Sequence, residues 1–360
     1  MKKMDYKLFI SVIIISLFGI LMIYSSSSIW AEYKFNDSFK YLKSQSLFFF
    51  ISLFLLNIVS KVDYKKYMKK ANFFLIICFF LLILVLIPGI GALRNGSRSW
   101  FKIGPFGIQP SEFMKLALII FVSKYLTNNQ KEVRNIKKGV FPILLVTFII
   151  FFLIMLEPDM GSGAILLVSV VGLLYVSMVD MSFFIKIGIV GFIGLAGLII
   201  MAPYRAKRIV SFINPWSDPL GTGFQAIQSF YAIGPGGLLG QGLFKSVQKH
   251  FYLPEPQTDF IFSIISEEFG FLGILIVSSM FIFIIYRCIK IALNCDDLFG
   301  KYLVFGITFQ LSFQTILNLG VVTGLFPITG VTLPFLSYGG SSLMITMISM
   351  GIILNVSKSN

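Results

Sequence analysis

The sequence predicts an all-α polytopic membrane protein, and three observations predict it. Hydrophobic residues make up 56% of the 360 and charged residues only 13%, which with a mean hydropathy of +0.87 excludes a soluble globular domain. The apolar stretches are continuous rather than alternating, so a β-barrel is disfavoured. Backbone polar groups in hydrocarbon must be satisfied within their own segment, which leaves helices. One membrane domain over residues 1–360 is expected.

Because about 20 apolar residues cross the hydrocarbon, ten spans are predicted, beginning near residues 8, 45, 71, 111, 140, 162, 182, 259, 302 and 338. The first, LFISVIIISLFGILMIYSSSS, is too long for a signal-peptide core and has no A-x-A cleavage site, so it is read as a retained helix. Ten spans place both termini on one side. The basic tracts MKKMDYK, KVDYKKYMKK, KYLTNNQKEVRNIKK and RCIKIALNCDDLFGKY alternate onto that side, which the positive-inside rule assigns to the cytoplasm.

Four polar stretches then face outward: residues 29–44, the GALRNGSRSWFKIGPFGIQP loop, the LEPDMGS turn, and a long segment, 203–258, between spans seven and eight. The long segment carries Arg205, Lys207, Arg208, Lys245 and Lys249 against the inside bias, which suggests an anionic ligand. Its GTGF and GPGGLLGQGL pieces flank FQAIQSFYAI and predict short interfacial helices and turns. No inverted repeat of the transporter type is visible.

The net charge is +14. No solvated basic face is long enough for nucleic acid, and an anionic lipid headgroup or pyrophosphate is the better match. Cys78, Cys288 and Cys295 lack metal spacing and read as packing residues. A single histidine, His250, removes His-pair metal sites and leaves a Ser-His-Asp triad open only through that residue. Chemistry must rest mainly on carboxylates, lysine and arginine.

Asp259 in FYLPEPQTDFIFSIISEEFG lies where a proline-stiffened outer loop enters an apolar helix. A carboxylate there is either functional or a helix N-cap. Glu255 precedes it in the loop. Glu267 and Glu268 lie two turns deeper, where at least one must be paired or protonated. In QPSEFMK, Glu112 and Lys115 follow Ser111 and can form a local i,i+3 ion pair, yet Lys115 lies deep enough that a contact with Asp159 of LEPDMGSG is also expected. NGSRSWF supplies Arg98 and Trp100. Arg205 and Arg208, i,i+3 in YRAKR, would either clamp a phosphate or snorkel to headgroups. FPITGVTLPFLSYGGSSL, with Ser337, breaks an apolar region as cavity-lining backbone does.

Together NGSRSWFKIGPFGIQPSEFMK, LEPDMGS, YRAKRIVSFINPWSDPLGTGFQAIQS, FYLPEPQTDFIFSIISEEFG and LPFLSYGGSS, in this order, resemble the SEDS (shape, elongation, division and sporulation) proteins of bacterial cell-wall synthesis. The likeness covers nearly the whole chain. YLPEPQTDFIF and NLGVVTGLFPITGVTLPFLSYGG look closer to the FtsW and SpoVE branch than to RodA. The resemblance implies a multi-pass protein of the bacterial cytoplasmic membrane, enriched at the division septum, that polymerises lipid II at its outer face. It implies a class B penicillin-binding protein as partner, among other divisome or elongasome membrane proteins.

By motif match Asp259 takes the position of the family's essential outer-loop aspartate, and Trp100, Lys115 and Asp159 its functionally sensitive positions. Arg98, Arg205, Arg208 and Glu255 are candidates for substrate binding, with Glu112, Glu267, Glu268 and Ser337 in supporting roles. One basic residue precedes Trp100 where many members have two, Glu157 replaces a common glutamine, and Ser162 a common threonine. A divalent cation, Mg or Mn, is left open. A lipid II flippase and a noncatalytic scaffold are the rivals, and the clustering of Lys115, Asp159 and Asp259 at outward helix ends favours the enzyme.

Overall fold

The computed structural model describes residues 4–94, 97–103, 106–133, 135–200 and 210–359. Helices begin close to every expected span start: α1 Tyr6–Phe35, α2 Lys40–Val59, α3 Lys65–Leu86, α4 Pro110–Asn128, α5 Phe141–Leu156, α6 Met160–Val176, α7 Met181–Ile200, α9 Ile261–Leu293, α10 Leu298–Val322 and α11 Gly340–Val356, with the short α8 Phe224–Ile233 in the long segment between α7 and α9. Among the described residues six helices are long and apolar enough to cross a membrane: α1, α2, α3, α5 with its leading π turn, α9 and α10. The chain is thus mostly helical and polytopic.

Local signals explain several boundaries. Asp5 caps α1 through Leu8 N at 3.0 Å and also pairs with Arg287 of α9. Pro110 opens α4 at a position where a missing N–H costs nothing. Asp297 caps α10 through Gly300 N at 2.9 Å.

The helices sort by what surrounds them. Most of α4, α10 and α11 is buried, with Ile119, Leu303 and Met347 almost wholly covered, whereas Phe50, Phe54, Phe73, Phe80 and Ile282 on α2, α3 and α9 are exposed. Exposed phenylalanine on this scale suits lipid as its solvent. Helix α11 packs on α2, α3 on α4, and α6 and α9 on α10, so the buried helices form a centre with the others around it.

Two features depart from the expected picture. The GALRN…FGI loop is a three-stranded antiparallel sheet, β1 Gly91–Arg94, β2 Ser97–Ile103 and β3 Phe106–Ile108, pairing Ala92 with Trp100 and Phe101 with Ile108. Asn95-Gly96, the dipeptide between β1 and β2, is a strong hairpin signal; it lies outside the described residues.

Helix α9 is also broken at Gly270, whose φ of 63° and ψ of −153° are helical for no residue and nearly restricted to glycine. The break would leave backbone groups without partners inside an apolar helix, and residues 237–242 return to satisfy them. Glu267 O and Glu268 O each accept a 2.9 Å bond, from Gln241 N and Gly242 N, while Phe271 N and Leu272 N donate to Gly237 O and Leu238 O at 2.8 and 3.1 Å. The approach needs bare backbone: a Cβ on Gly240 would lie 2.2 Å from Glu268 O, and one on Gly270 2.4 Å from Gly240 N. The 213–258 segment otherwise consists of α8, short 3-10 turns and loops, as its composition predicts.

Candidate active site

Asp259 lies just before α9. Phe260, not Asp259, occupies the N-cap position, and no side chain caps this helix, so the capping explanation for Asp259 fails. Its backbone is fastened instead. Asn318 Nδ2 donates to Asp259 O at 2.8 Å and to Val331 O at 2.7 Å. Ser337 Oγ donates to Thr258 O at 2.6 Å while accepting from Leu333 N at 2.8 Å, and Tyr338 N donates to Gln257 O at 2.8 Å. The LPFLSYGG stretch and α10 therefore hold the loop, and the supporting place given to Ser337 rests on these bonds.

The Asp259 carboxyl itself is half-buried and has no hydrogen-bond or ion-pair partner among the described residues. Burial, then the charges of Glu255 and Asp159, push its pKa up to about 7. A carboxylate tuned to this range can take a proton near neutrality and release it. Gly330 faces it: a Cβ there would stand 3.6 Å from Asp259 Oδ2, and its φ of +74° disfavours any L side chain. Glu255, exposed and held at a φ of 50°, accepts a 3.2 Å bond from Gln257 Nε2.

The second group gathers at the starts of α4 and α6. Asp159 caps α6 through Ser162 N at 3.0 Å and accepts from Gln109 Nε2 at 2.8 Å. Lys115, almost fully buried, pairs with Glu112 at 2.7 Å and lies 3.5 Å from Gln314 Oε1. The expected Lys115 to Asp159 contact is not made. An i,i+3 carboxylate on the same helix reaches the ammonium with less ordering than a group across the bundle, and Gln109 with the α6 amides satisfies Asp159. Lys115 still acts on Asp159 through space, lowering a pKa that burial raises.

Arg98 and Trp100 sit on β2. Ser97 and Ser99 of the same strand both donate to Glu157 O, which seats the strand beside the Asp159 turn. Glu157 has no exposed surface, neither of its carboxyl oxygens has a partner among the described residues, and burial followed by the Asp159 charge raises it to about 8. Arg205 and Arg208 lie outside the described residues.

Glu267 and Glu268 belong to a separate network below Asp259. Glu267 accepts from Ser246 Oγ at 2.5 Å and from Val247 N at 2.7 Å, and Glu268 pairs with Lys249 at 2.9 Å and accepts from Ser25 Oγ at 2.6 Å. Both acids are paired, as their burial required. Sequence reasoning overlooked Asn318, Gln109 and Gln314, neutral side chains within apolar or loop segments whose only signal was polarity at membrane depth. No group of three or more His, Cys, Asp or Glu able to hold a metal occurs among the described residues, and both Asp159 oxygens are already engaged. The described residues thus offer no all-protein cage for the divalent cation left open above.

The profile of the FtsW, RodA and SpoVE family, described as cell cycle protein, matches residues 6–360. The chain is 49% identical over 354 residues to the stage V sporulation protein E of Bacillus subtilis (strain 168), covering 98% of this chain and 97% of that protein. It is 40% identical over 345 residues to a probable peptidoglycan glycosyltransferase FtsW of Geobacter sp. (strain M18), covering 96% and 94%. Its fold matches a chain from a solved peptidoglycan synthase complex that coordinates polymerization and crosslinking, with a TM-score of 0.79 and 30% identity over 98% of this chain and 97% of that one. With a matching order of motifs, a matching fold and an aspartate at the mouth of a broken helix, the chain belongs to the FtsW/RodA/SpoVE family of cell cycle proteins.

Proposed function

We propose that the protein is a peptidoglycan glycosyltransferase that polymerises lipid II at the outer face of the bacterial cytoplasmic membrane. The observation that carries this is the Asp259 carboxyl: tied down through its backbone, free of protein partners among the described residues, and raised to about 7. Asp259 removes the proton from the acceptor sugar's 4-hydroxyl as that oxygen attacks the anomeric carbon of the donor. The bond to undecaprenyl pyrophosphate breaks as the new bond forms, and the configuration inverts. Pyrophosphate already leaves well, so it needs charge neutralisation more than a proton. Arg98, Lys115, Arg205 and Arg208 are the candidate cations, and Trp100, Asp159 and Glu255 are the other candidate substrate-binding residues.

Ten spans with both termini cytoplasmic follow from the basic tracts and put this site outside. A class B penicillin-binding protein is the proposed crosslinking partner, supported by the likeness to a synthase complex, with work in division or sporulation wall synthesis at the septum supported by the relatives' names. Purified protein with its partner and labelled lipid II tests the reading. Asp259→Asn is expected to abolish glycan synthesis while lipid II binding persists. Polymerisation by that variant at the normal rate removes the base assignment.

A further inference from the structure

We propose that Lys249 and Glu268 are positioning residues for the reaction, closing a loop that holds Asp259 in place. The inference rests on the reading of Asp259 as base. The chain leaves Lys249, runs through the stiff FYLPEPQT stretch, passes Asp259, and descends residues 261–269 of α9 to Glu268, where it meets Lys249 again. The closure is a 2.9 Å ion pair whose side chains are 3% and 0% exposed. It is doubled by Glu267, which gathers Ser246 Oγ, Val247 N and Gln248 N. It is fixed to α1 by Ser25 Oγ, which donates toward both Glu268 oxygens at 2.6 and 2.8 Å and accepts from Lys249 Nζ at 3.3 Å.

The span between the ends transmits this closure rather than absorbing it. Pro254 and Pro256 restrict its backbone, and Phe251 and Glu255 hold φ values of 66° and 50°, conformations that persist only where the surroundings impose them. Phe251 packs edge-on against Trp30 and Tyr33 at 5.7 and 5.4 Å, so α1 grips the loop a second time. Opening the pair releases a closed loop whose apex carries the reacting carboxyl, and displacements of about 1 Å at such a group cost roughly a hundredfold in rate.

The test uses full-length purified protein with its penicillin-binding partner and labelled lipid II. Lys249→Met and Glu268→Gln are expected to lower kcat roughly 10- to 100-fold with KM for lipid II unchanged. The acid limb of the rate profile should move toward the ordinary carboxylate range as Asp259 gains water, against the charges of Glu255 and Asp159 that face it. Lys249→Arg should restore most of the rate. Arg287→Met, which breaks the Asp5 pair at the far end of α9, controls for lost stability and should leave kcat and the profile unmoved. If kcat falls only with the folded fraction and the acid limb stays in place, Lys249 and Glu268 are merely structural and the proposal is overturned. An inactive wild type overturns the enzyme reading itself, whereas an active wild type matched by Lys249→Met and Glu268→Gln overturns this proposal alone.

Discussion

Three acids near one another at the ends of helices illustrate how surroundings assign roles to identical chemistry. Asp159 is consumed by a helix N-terminus and Gln109, Asp259 is left unpartnered among the described residues, and Glu157 is sealed beneath them. A carboxyl with a pKa of about 8 is mostly protonated at neutral pH and is then uncharged and close to glutamine in shape, with one donor where the amide has two. Glu157→Gln should therefore polymerise lipid II at close to the wild-type rate at pH 7. Above pH 8 the wild type should lose activity as Glu157 ionises in its closed pocket, and the variant should not; parallel pH profiles would contradict this. That Glu157 stands where relatives were expected to carry glutamine was legible beforehand. Its complete burial was not, because nothing in LEPDMGS shows which residue turns inward.

At the scale of the element, α9 is the informative one. Its apolar run predicts a single long span, and the double acid EE within it predicts partners, but neither feature reveals that the helix stops and restarts. The reason is physical. A glycine in an apolar helix costs only about 1 kcal/mol relative to alanine, so the sequence looks tolerably helical, and the break is stabilised by carbonyls and amides from residues 237–242, far away in the chain. Gly270→Ala places a Cβ against Gly240 N in a conformation open almost only to glycine. It should cost roughly 1–3 kcal/mol or more, read as a lowered Tm in detergent, together with lost polymerisation. A Tm equal to wild type would show that the break is not needed. The same element shows why buried ion pairs are fragile supports. Removing one partner of Lys249–Glu268 strands a buried charge, at a typical cost of about 3–5 kcal/mol, which is why the arginine replacement is the discriminating variant.

Across the whole molecule, the price of a working base is a carboxyl kept where ionising it is unfavourable. The native state raises Asp259 to about 7 from an unfolded value near 3.9, so between those values the folded protein holds a proton that the unfolded chain has released. Its contribution to stability is full below the unfolded value and is lost as pH rises through about 7. Asp259→Asn, which cannot ionise, should melt above the wild type at pH 8, with the difference shrinking toward pH 4. A difference that grows on acidification would reverse the sign and reject the shifted pKa. The gain in stability accompanies the loss of activity, as expected where a site is held in a strained electrostatic state.

Hydropathy determined the polytopic helical class and the rough start of every long helix, because a lipid solvent leaves a segment few alternatives. Composition also singled out Asp259, Glu267 and Glu268, since ionisable groups in apolar surroundings are conspicuous. Only the tertiary structure decided what each acid meets: Glu112 rather than Asp159 beside Lys115, a sheet under Arg98 and Trp100, the glycine-to-glycine contact that supports a broken helix, and Lys249 closing the loop around Asp259. Those outcomes depend on backbone groups and side chains brought together from distant parts of the chain, and such meetings leave no local periodicity to read.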